Sequence, residues 1–496
     1  MLYQSTRGDK NKITSAEAII QGLSTDGGLY VPETFPVFSL NEIKELIDKP
    51  YNKRALHVMG KYLTDFTSDE LDKYTIAAYN TFNYDDAMIA PIQSVEYNTH
   101  FLELWHGPTS AFKDMALQIM PYLLTASINK CDKQKEICIL VATSGDTGKA
   151  ALEGFSDVKG TKIIVFYPKD GVSEVQKLQM ISQNGKNVDV VAVEGNFDDT
   201  QTGVKAIFSD TVFAKKLNSI GYSLSSANSI NWGRLVPQIV YYFSAYCDLI
   251  NKDSIKPGDK VNFCVPTGNF GNILAGYYAY KMGLPIGKLI CASNRNDVLT
   301  QFINTGVYDK KRTFFTTISP SMDILVSSNL ERLLFEMSDK NGDIISTYMN
   351  ELAKKGSYTV PFTMQNKIKE IFASGFSYEE DTKKAIKNVF DRHNYLIDTH
   401  TAVAYNALQT YRNISNDETP TVIVATASPY KFCESVLEAL GQANVSDGIK
   451  AIDELHKVTG VTVPKPIERL KNANIRFNKS IKKDEMNTAV LEFLGG

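Results

Sequence analysis

The sequence predicts an α/β protein in which mostly parallel sheets are covered by helices on both faces. Short apolar runs rich in β-branched residues begin at residue 137; they span residues 137–143, 162–168, 188–195, 261–267, 288–293 and 421–427. These runs are apolar throughout instead of alternating with polar residues, as strands buried on both faces require. Helical patterns separate the runs, and strand–helix alternation over this length is typical of a doubly wound fold.

The helical stretches between the runs carry their apolar residues on one face. In GVSEVQKLQMISQNG, residues 171–185, that face includes Val175 and Leu178, and Gly185 is placed to end the helix. A similar stripe follows Lys113, and Pro121 within it predicts a kink or an early end. Both stretches fit helices that cover a sheet.

Length and local composition divide the chain into regions. A chain of 496 residues exceeds one simple core, so two or three domains are expected. We expect an N-terminal domain at 1–90, a central domain at 91–435 and a charged C-terminal tail at 436–496. Within the central domain we expect an inner lobe at about 135–225 and a helical insertion at about 297–400.

Composition excludes several classes of function. Lys+Arg minus Asp+Glu is 53 − 56 = −3, so no global basic field attracts nucleic acid or an anionic membrane. No apolar run reaches the roughly 18–20 residues of a membrane span, and the N-terminus lacks the apolar core of a signal peptide. The six cysteines are scattered without zinc-site spacing, so we expect no metal and a reduced, cytoplasmic protein.

Two predicted strand-to-helix turns are candidate anion sites. In PTGNFGN, Gly268 and Gly271 allow close backbone approach, and the amides of the following helix carry partial positive charge, as in a phosphate cradle. In ATSGDTG, Ser144, Asp146 and Thr147 could receive a small carboxylate. A tight turn alone would also explain the first pattern, and helix capping would explain the second.

Three other positions carry side chains that could take part in chemistry or bind a ligand. Lys113, in HGPTSAFKDMALQ, begins a predicted helix beside Phe112, where the helix dipole and desolvation would lower its pKa and improve its nucleophilicity, or it could be an ordinary solvated lysine. Thr426 ends a buried strand, where its hydroxyl could bind a ring nitrogen or its own turn. Ser229 and Arg234 lie close together, and the arginine could clamp a phosphate or be a solvated surface cation.

Taken together, these motifs resemble those of the threonine synthase family. The residues that carry the resemblance are YQSTRGDKNKITSAEAIIQGLSTDGGLYVPE, HGPTSAFKDMALQ, ATSGDTGKAA, PTGNFGN and ATASPYKF, between Tyr3 and about Phe432. The family comprises pyridoxal-phosphate-dependent enzymes of fold type II, the tryptophan synthase β-like class. The resemblance implies two doubly wound lobes with mostly parallel sheets, a family-specific N-terminal domain and a cofactor-binding catalytic domain at 91–435.

The resemblance also implies roles for residues that bind the cofactor, pyridoxal 5′-phosphate. Lys113 would carry it covalently and shuttle protons. Asp146 would lie near its 3′-oxygen, and Thr426 would face its pyridine nitrogen, where a neutral hydroxyl suits elimination and replacement chemistry. The loop implied to hold its phosphate consists of Gly268, Asn269, Phe270, Gly271 and Asn272.

For the substrate, the resemblance implies that Ser144 and Thr147 bind the carboxylate and that Ser229 and Arg234 bind the phosphate. The implied enzyme is a carbon–oxygen lyase that converts O-phospho-L-homoserine and water to L-threonine and phosphate by γ-elimination and β-addition of water, the last step of threonine biosynthesis. We expect no nucleic-acid or membrane partner, and a monomer or homodimer.

Two alternatives stay open at this stage. One is another pyridoxal-phosphate lyase on the same scaffold that gives 2-oxobutanoate, and the STRG…DGGLYVPE segment argues against it. The other is a catalytically idle binding or regulatory homologue, and the intact Lys113 and GNFGN loop argue against that. The chain also departs from the family pattern: many relatives read TAHPAKF, with histidine where this chain has Ser428, so we assign Ser428 no role.

Overall fold

The structure is a computed structural model that describes residues 1–131, 135–143, 145–169 and 172–495. Ser144, which the sequence analysis implicates in carboxylate binding, lies outside the described residues. Within them, no helix combines the length and apolar character that crossing a membrane would need.

The N-terminal region combines a two-stranded antiparallel sheet, in which Tyr3 pairs with Pro32, with four helices. Thr14, Ser39 and Thr67 begin three of these helices through capping boxes that satisfy free amides in the first turn. The elements are β1 Tyr3–Ser5, α1 Ser15–Gln21, β2 Tyr30–Pro32, α2 Leu40–Lys44, α3 Tyr51–Gly60 and α4 Ser68–Ala78.

Strands and helices alternate through the next region. Two short helices take the place of the single stripe after Lys113, and Pro121 lies in the first turn of the second of them. The elements are β3 Ile92–Glu96, β4 Thr99–Glu103, α5 Asp114–Leu117, α6 Met120–Lys130, β5 Glu136–Ala142, α7 Asp146–Phe155, β6 Thr161–Pro168, α8 Glu174–Ile181, β7 Val188–Val193, α9 Phe197–Ser209, α10 Thr211–Ser219 and β8 Tyr222–Ser226.

The remaining elements complete a second sheet and the C-terminal region. They are α11 Trp232–Asn251, β9 Val261–Pro266, α12 Gly271–Lys281, β10 Ile286–Ser293, α13 Val298–Thr305, β11 Val307–Asp309, α14 Leu330–Met337, α15 Gly342–Lys354, β12 Ser357–Thr359, α16 Phe362–Ile371, β13 Phe372–Phe376, α17 Glu379–His393, α18 Thr399–Ser415, β14 Thr421–Ala425, α19 Cys433–Ala439, α20 Gly448–Thr459, α21 Lys465–Glu468, β15 Ser480–Ile481 and α22 Met486–Leu494.

Most of the strands form two large sheets, which confirms the predicted fold class. The larger sheet has the order β13-β10-β9-β14-β4-β3 and is parallel except for its edge strand β3, which runs antiparallel to β4. The smaller sheet has the order β15-β7-β6-β5-β8 and is parallel throughout. All six apolar runs form strands of these sheets, because parallel strands with covered faces have no polar side.

Two regions that were expected to be peripheral also supply strands. The segment 297–400, expected to be a helical insertion, contributes β13, which pairs with β10 at one edge of the larger sheet. The tail 436–496 contributes β15, which pairs with β7 at one edge of the smaller sheet. Strands β10 and β7 would otherwise lie at the edges of their sheets, and each therefore gains a backbone partner from a distant part of the chain.

Helix α11 is the central element between the N-terminal region and the larger sheet, because nearly all of its residues are buried. Trp232, at its start, packs against Tyr3, Tyr62 and Tyr278, with ring centroids 5.1, 5.4 and 5.9 Å away. Near its end, the Asp248 carboxylate pairs with Arg54 of α3 at 2.6 Å. These contacts fix the N-terminal region to the body of the protein.

We expect Arg54→Met to lower the free energy of unfolding by about 3 kcal/mol, because it leaves Asp248 as a buried charge without its cation. Both side chains of the pair are only 3% exposed. Lys53→Met is the matched control, since Lys53 pairs with Asp72 at the surface and its loss should cost under about 1 kcal/mol. Guanidinium titration followed by circular dichroism measures both, and equal losses would contradict the argument.

Candidate active site

A cleft lies where loops from the two large sheets meet. Residues that follow β4, β9 and β14, three adjacent parallel strands, line it together with residues that follow β5 and β8. Carboxyl ends of parallel strands are where α/β proteins place their ligands. The residues from the sequence analysis that line the cleft are Lys113, Thr147, Ser229, Arg234, Gly268, Asn269, Phe270, Gly271, Asn272 and Thr426.

The loop that presents Lys113 is held against the loop that contains Thr426. The Phe112 amide donates to the Thr426 carbonyl at 2.8 Å, and the Ser428 amide donates to the Ser110 carbonyl at 3.0 Å. Ser110 adopts a left-handed conformation with φ +56°, which is uncommon for a serine and turns the chain sharply before Lys113. The two cleft residues are therefore fixed relative to each other through their backbones.

Burial in the cleft lowers the pKa of Lys113 to about 8, and the positive charges of Arg234 and Lys431 add to the effect while Asp146 opposes it. The Lys113 ammonium lies 4.1 Å from the ring centroid of Phe112. An amine with such a pKa is partly neutral near physiological pH and is a competent nucleophile and base.

The neighbouring carboxylate of Asp114 does not neutralise Lys113. It accepts hydrogen bonds from the backbone and hydroxyl of Thr109, both at 2.8 Å. Burial raises the pKa of Asp114 to about 7. Gly107 allows this arrangement, since a Cβ atom there would come within 2.5 Å of the Asp114 carboxylate.

The GNFGN loop follows β9 and leads into α12, as the sequence predicts. Phe270 adopts a left-handed conformation with φ +62° just before the helix begins at Gly271. Gly268 lies against the Ser321 carbonyl, only 2.4 Å from where a Cβ atom would stand. The Asn272 side-chain oxygen accepts from the hydroxyls of Tyr241 and Tyr242 at 2.6 and 2.9 Å.

The Asn272 side-chain nitrogen, by contrast, is buried and has no hydrogen-bond partner within the described chain. An unpaired buried donor costs free energy unless a ligand satisfies it. Together with the backbone amides in the first turn of α12, this donor makes the loop a suitable site for an anion.

Arg234 lies in the first turn of α11 and is only 2% exposed. It donates to the Ala227 carbonyl, while its Nε has no partner among the described residues, and no described carboxylate forms an ion pair with it. Burial lowers its pKa to about 10, so it keeps its charge at neutral pH. A buried arginine at a cleft wall without a carboxylate is suited to bind an anionic ligand.

Asp146 lies behind the cleft instead of lining it. Its carboxylate pairs with Lys431 at 2.7 Å and accepts from the Gln176 amide at 2.8 Å. Although burial opposes ionisation, these partners hold its pKa at about 2. The helix N-terminus itself is satisfied by Thr143, whose hydroxyl accepts from the amides of Gly145 and Gly148 at 2.9 Å.

Lys431, for which the sequence predicts no role, is completely buried. Besides Asp146, its ammonium donates to the Thr109 carbonyl at 2.9 Å. The signal was a lysine in the otherwise apolar segment SPYKF, directly after a buried strand. In the same segment the Ser428 hydroxyl, to which no role was assigned, accepts from the Tyr430 amide at 3.3 Å and caps a short turn.

His400 also lines the cleft and was not identified from the sequence. Its Nδ1 lies 3.0 Å from a carboxylate oxygen of Asp398, and its Nε2 accepts from the Ser321 amide at 3.2 Å. The histidine therefore holds the segment that packs on Gly268. Within the part of the chain that the structure describes, no group of three histidine, cysteine, aspartate or glutamate residues could hold a metal ion.

Three family models match successive parts of the chain. They are described as threonine synthase N terminus, for residues 2–79, pyridoxal-phosphate dependent enzyme, for residues 95–357, and threonine synthase, C-terminal, for residues 401–480. The matches cover the N-terminal region, most of both large sheets and the region from α18 to the start of β15.

Curated relatives and solved structures agree with the family models. The chain is 42% identical to human threonine synthase-like 1 over 86% of its own length, although it spans only 58% of that relative. It is 41% identical to threonine synthase of Pseudomonas aeruginosa, covering 89% of this chain and 91% of the relative. The crystal structure of pyridoxal-phosphate-bound threonine synthase from Brucella melitensis has a TM-score of 0.88 at 34% identity, over 100% of both chains.

In the ligand-free protein we expect Lys113 to react with an amine-labelling reagent with a midpoint near pH 8, because only the neutral amine is nucleophilic. Arg234→Gln should move the midpoint upward, since it removes a cation that lowers the pKa of Lys113. Arg392→Gln, a change at an exposed position on α17, should leave it unchanged. Peptide mapping after pulse labelling measures the midpoint; no difference between the two variants would contradict this account.

Proposed function

The chain belongs to the threonine synthase family of pyridoxal-phosphate-dependent enzymes, and on this basis we propose that it converts O-phospho-L-homoserine and water to L-threonine and phosphate. The observation that carries the proposal is one cleft that combines the amine of Lys113 with a buried arginine, Arg234, that forms no ion pair with a described carboxylate, and with a loop suited to bind an anion. A substrate phosphate matches Arg234, and a second phosphate, that of a cofactor held beside the Lys113 amine, matches the loop.

The cofactor of the family is pyridoxal 5′-phosphate, and the cleft residues fit it. The GNFGN loop offers helix amides and the unpaired donor of Asn272 to its phosphate. Thr426 offers a neutral hydroxyl to its ring nitrogen, and Lys113 offers the amine that would hold it covalently. When bound, the cofactor supplies an electron sink that makes protons beside the substrate amine acidic.

Lys113 is proposed to take the proton from the α-carbon of the substrate and to return protons at later steps. Its pKa of about 8 suits both directions of transfer, because the neutral and charged forms are both populated near neutral pH. The short loop and the backbone bond from Phe112 to Thr426 hold the lysine at one place while the proton moves.

Arg234 and Ser229 are proposed to bind the substrate phosphate and to orient it for departure from the γ-carbon. The arginine can approach two phosphate oxygens at once, which a lysine cannot do. Thr147, at the start of α7, is proposed to bind the substrate carboxylate with Ser144. Asp146, through the carboxylate that Lys431 keeps ionised, is proposed to act near the 3′-oxygen of the cofactor.

Location, assembly and domain limits complete the proposal. We propose a cytoplasmic protein, supported by six cysteines that are scattered along the sequence without the spacing of a zinc site, acting as a monomer or homodimer without nucleic-acid or membrane partners. The proposed units are an N-terminal domain at 1–90, a catalytic domain at 91–435 and a C-terminal tail at 436–496.

We expect the purified protein, supplied with pyridoxal phosphate and O-phospho-L-homoserine, to release threonine and phosphate in equal amounts. Product analysis by mass spectrometry decides between classes: 2-oxobutanoate in place of threonine would assign a different lyase, and cofactor binding without turnover would assign an idle homologue.

Arg234→Gln should raise KM for the substrate about tenfold or more, because it removes a charged phosphate ligand. Arg392→Gln should not change KM.

Borohydride reduction of the cofactor-loaded protein should attach the cofactor irreversibly to the peptide that contains Lys113. The structure offers a neighbouring lysine as an internal comparison, since Lys431 is buried and paired with Asp146 and should stay unmodified. Peptide mapping identifies the site. Recovery of the reduced cofactor on any lysine other than Lys113 would overturn the proposed role.

A further inference from the structure

The segment that begins α14 contacts both halves of the proposed phosphate-binding apparatus. Asn329, which is completely buried, donates through its side-chain nitrogen to the Ser229 hydroxyl at 3.0 Å and to the Asn269 carbonyl at 3.1 Å. Its backbone amide also donates to the Asn269 carbonyl at 3.1 Å. Two residues earlier, the Ser327 hydroxyl donates to the Gly268 carbonyl at 2.7 Å.

Asn329 occupies the N-cap position of α14 but does not cap it. Asparagine at such a position ordinarily accepts a hydrogen bond from an amide of its own helix, and no such bond is present here. Instead, its side-chain oxygen accepts from Arg332, which also donates to the backbone carbonyls of Tyr30 and Ile230. The arginine therefore fixes the orientation of the amide, so that its nitrogen points at the cleft loops.

The packing around this amide is close. A Cβ atom at Gly271 would come within 3.3 Å of both the Asn329 side-chain nitrogen and Ser229. A displacement of Asn329 would therefore shift both the GNFGN loop and Ser229. Among the described residues that begin α14, Asn329 has the side chain that contacts both the GNFGN loop and Ser229. The Ser327 side chain contacts only the loop.

We propose that Asn329 is a positioning residue that couples the loop for the cofactor phosphate to Ser229, the residue for the substrate phosphate. The proposal rests on the proposed function for the identity of the two phosphates. Its consequence is that occupation of one phosphate site orders the other, because one amide group donates to both.

The test measures binding instead of turnover. Pyridoxal phosphate affinity is read from the absorbance of the bound cofactor, and inorganic phosphate affinity from titration of the cofactor-loaded protein. We expect Asn329→Ala to raise both dissociation constants about fivefold, as loss of one or two hydrogen bonds would. Ser229→Ala should raise only the constant for phosphate, and in the Asn329→Ala background it should add little further effect.

Two further variants separate coupling from loss of structure. Asn329→Asp keeps the oxygen that accepts from Arg332 but sets an acceptor in place of the donor against the Asn269 carbonyl, so it should weaken both ligands, and its thermal midpoint, measured beside that of Asn329→Ala, reports the stability that each change removes. Asn341→Asp adds the same charge at an exposed helix start, where aspartate caps as well as asparagine, and should change neither constant.

Three outcomes would overturn the proposal: unchanged affinities for both ligands in Asn329→Ala and Asn329→Asp, equal weakening by Asn341→Asp, or fully additive effects of Asn329→Ala and Ser229→Ala. Failure of the proposed function looks different. A wild-type protein that binds pyridoxal phosphate but makes no threonine would refute the activity, while the affinities of the Asn329 variants would still decide the coupling.

Discussion

The cleft depends on one buried lysine, because the ammonium group of Lys431 joins segments that are distant in sequence. It pairs with Asp146 at the start of α7 and donates to Thr109 in the loop that presents Lys113. The carbonyl of Lys431 accepts from Ser173, the N-cap of α8, at 3.1 Å. Breaking a buried pair costs about 3–5 kcal/mol, so the two lobes and the lysine loop are held in one arrangement.

The distribution of charge explains why this cleft suits anions. Lys431 and Asp146 neutralise each other, and the Asp114 carboxylate accepts its hydrogen bonds from Thr109 and not from a cleft cation. Lys113 and Arg234 therefore face the cleft without an ion pair to any carboxylate of the described residues, in a site where a low dielectric constant strengthens electrostatic attraction. A ligand that brings phosphate groups supplies the missing negative charge, and the same excess of cations keeps the amine of Lys113 poised to lose its proton.

The sequence was informative wherever local pattern determines structure. Apolar β-branched runs predicted six strands, and glycine-containing motifs predicted the cleft loops. By contrast β13, with the sequence FASGF, forms a strand only because β10 offers it an edge. Lys431 and Asn329 escaped detection for a related reason: Thr109 is 322 positions from Lys431, and Ser229 is 100 from Asn329. One sequence alone does not reveal which distant polar groups will meet.

The STRG segment forms hydrogen bonds with residues that are synthesised much later than it is. Thr6 and Arg7 both donate to Glu331, Thr6 across 325 positions, and Arg332 donates to Tyr30 across 302 positions. A ribosome releases the chain from its N-terminus, so β1 and β2 emerge long before their partners exist, and such long-range contacts close slowly. During synthesis, β1 and β2 therefore stay without these stabilising contacts until α14 has been made.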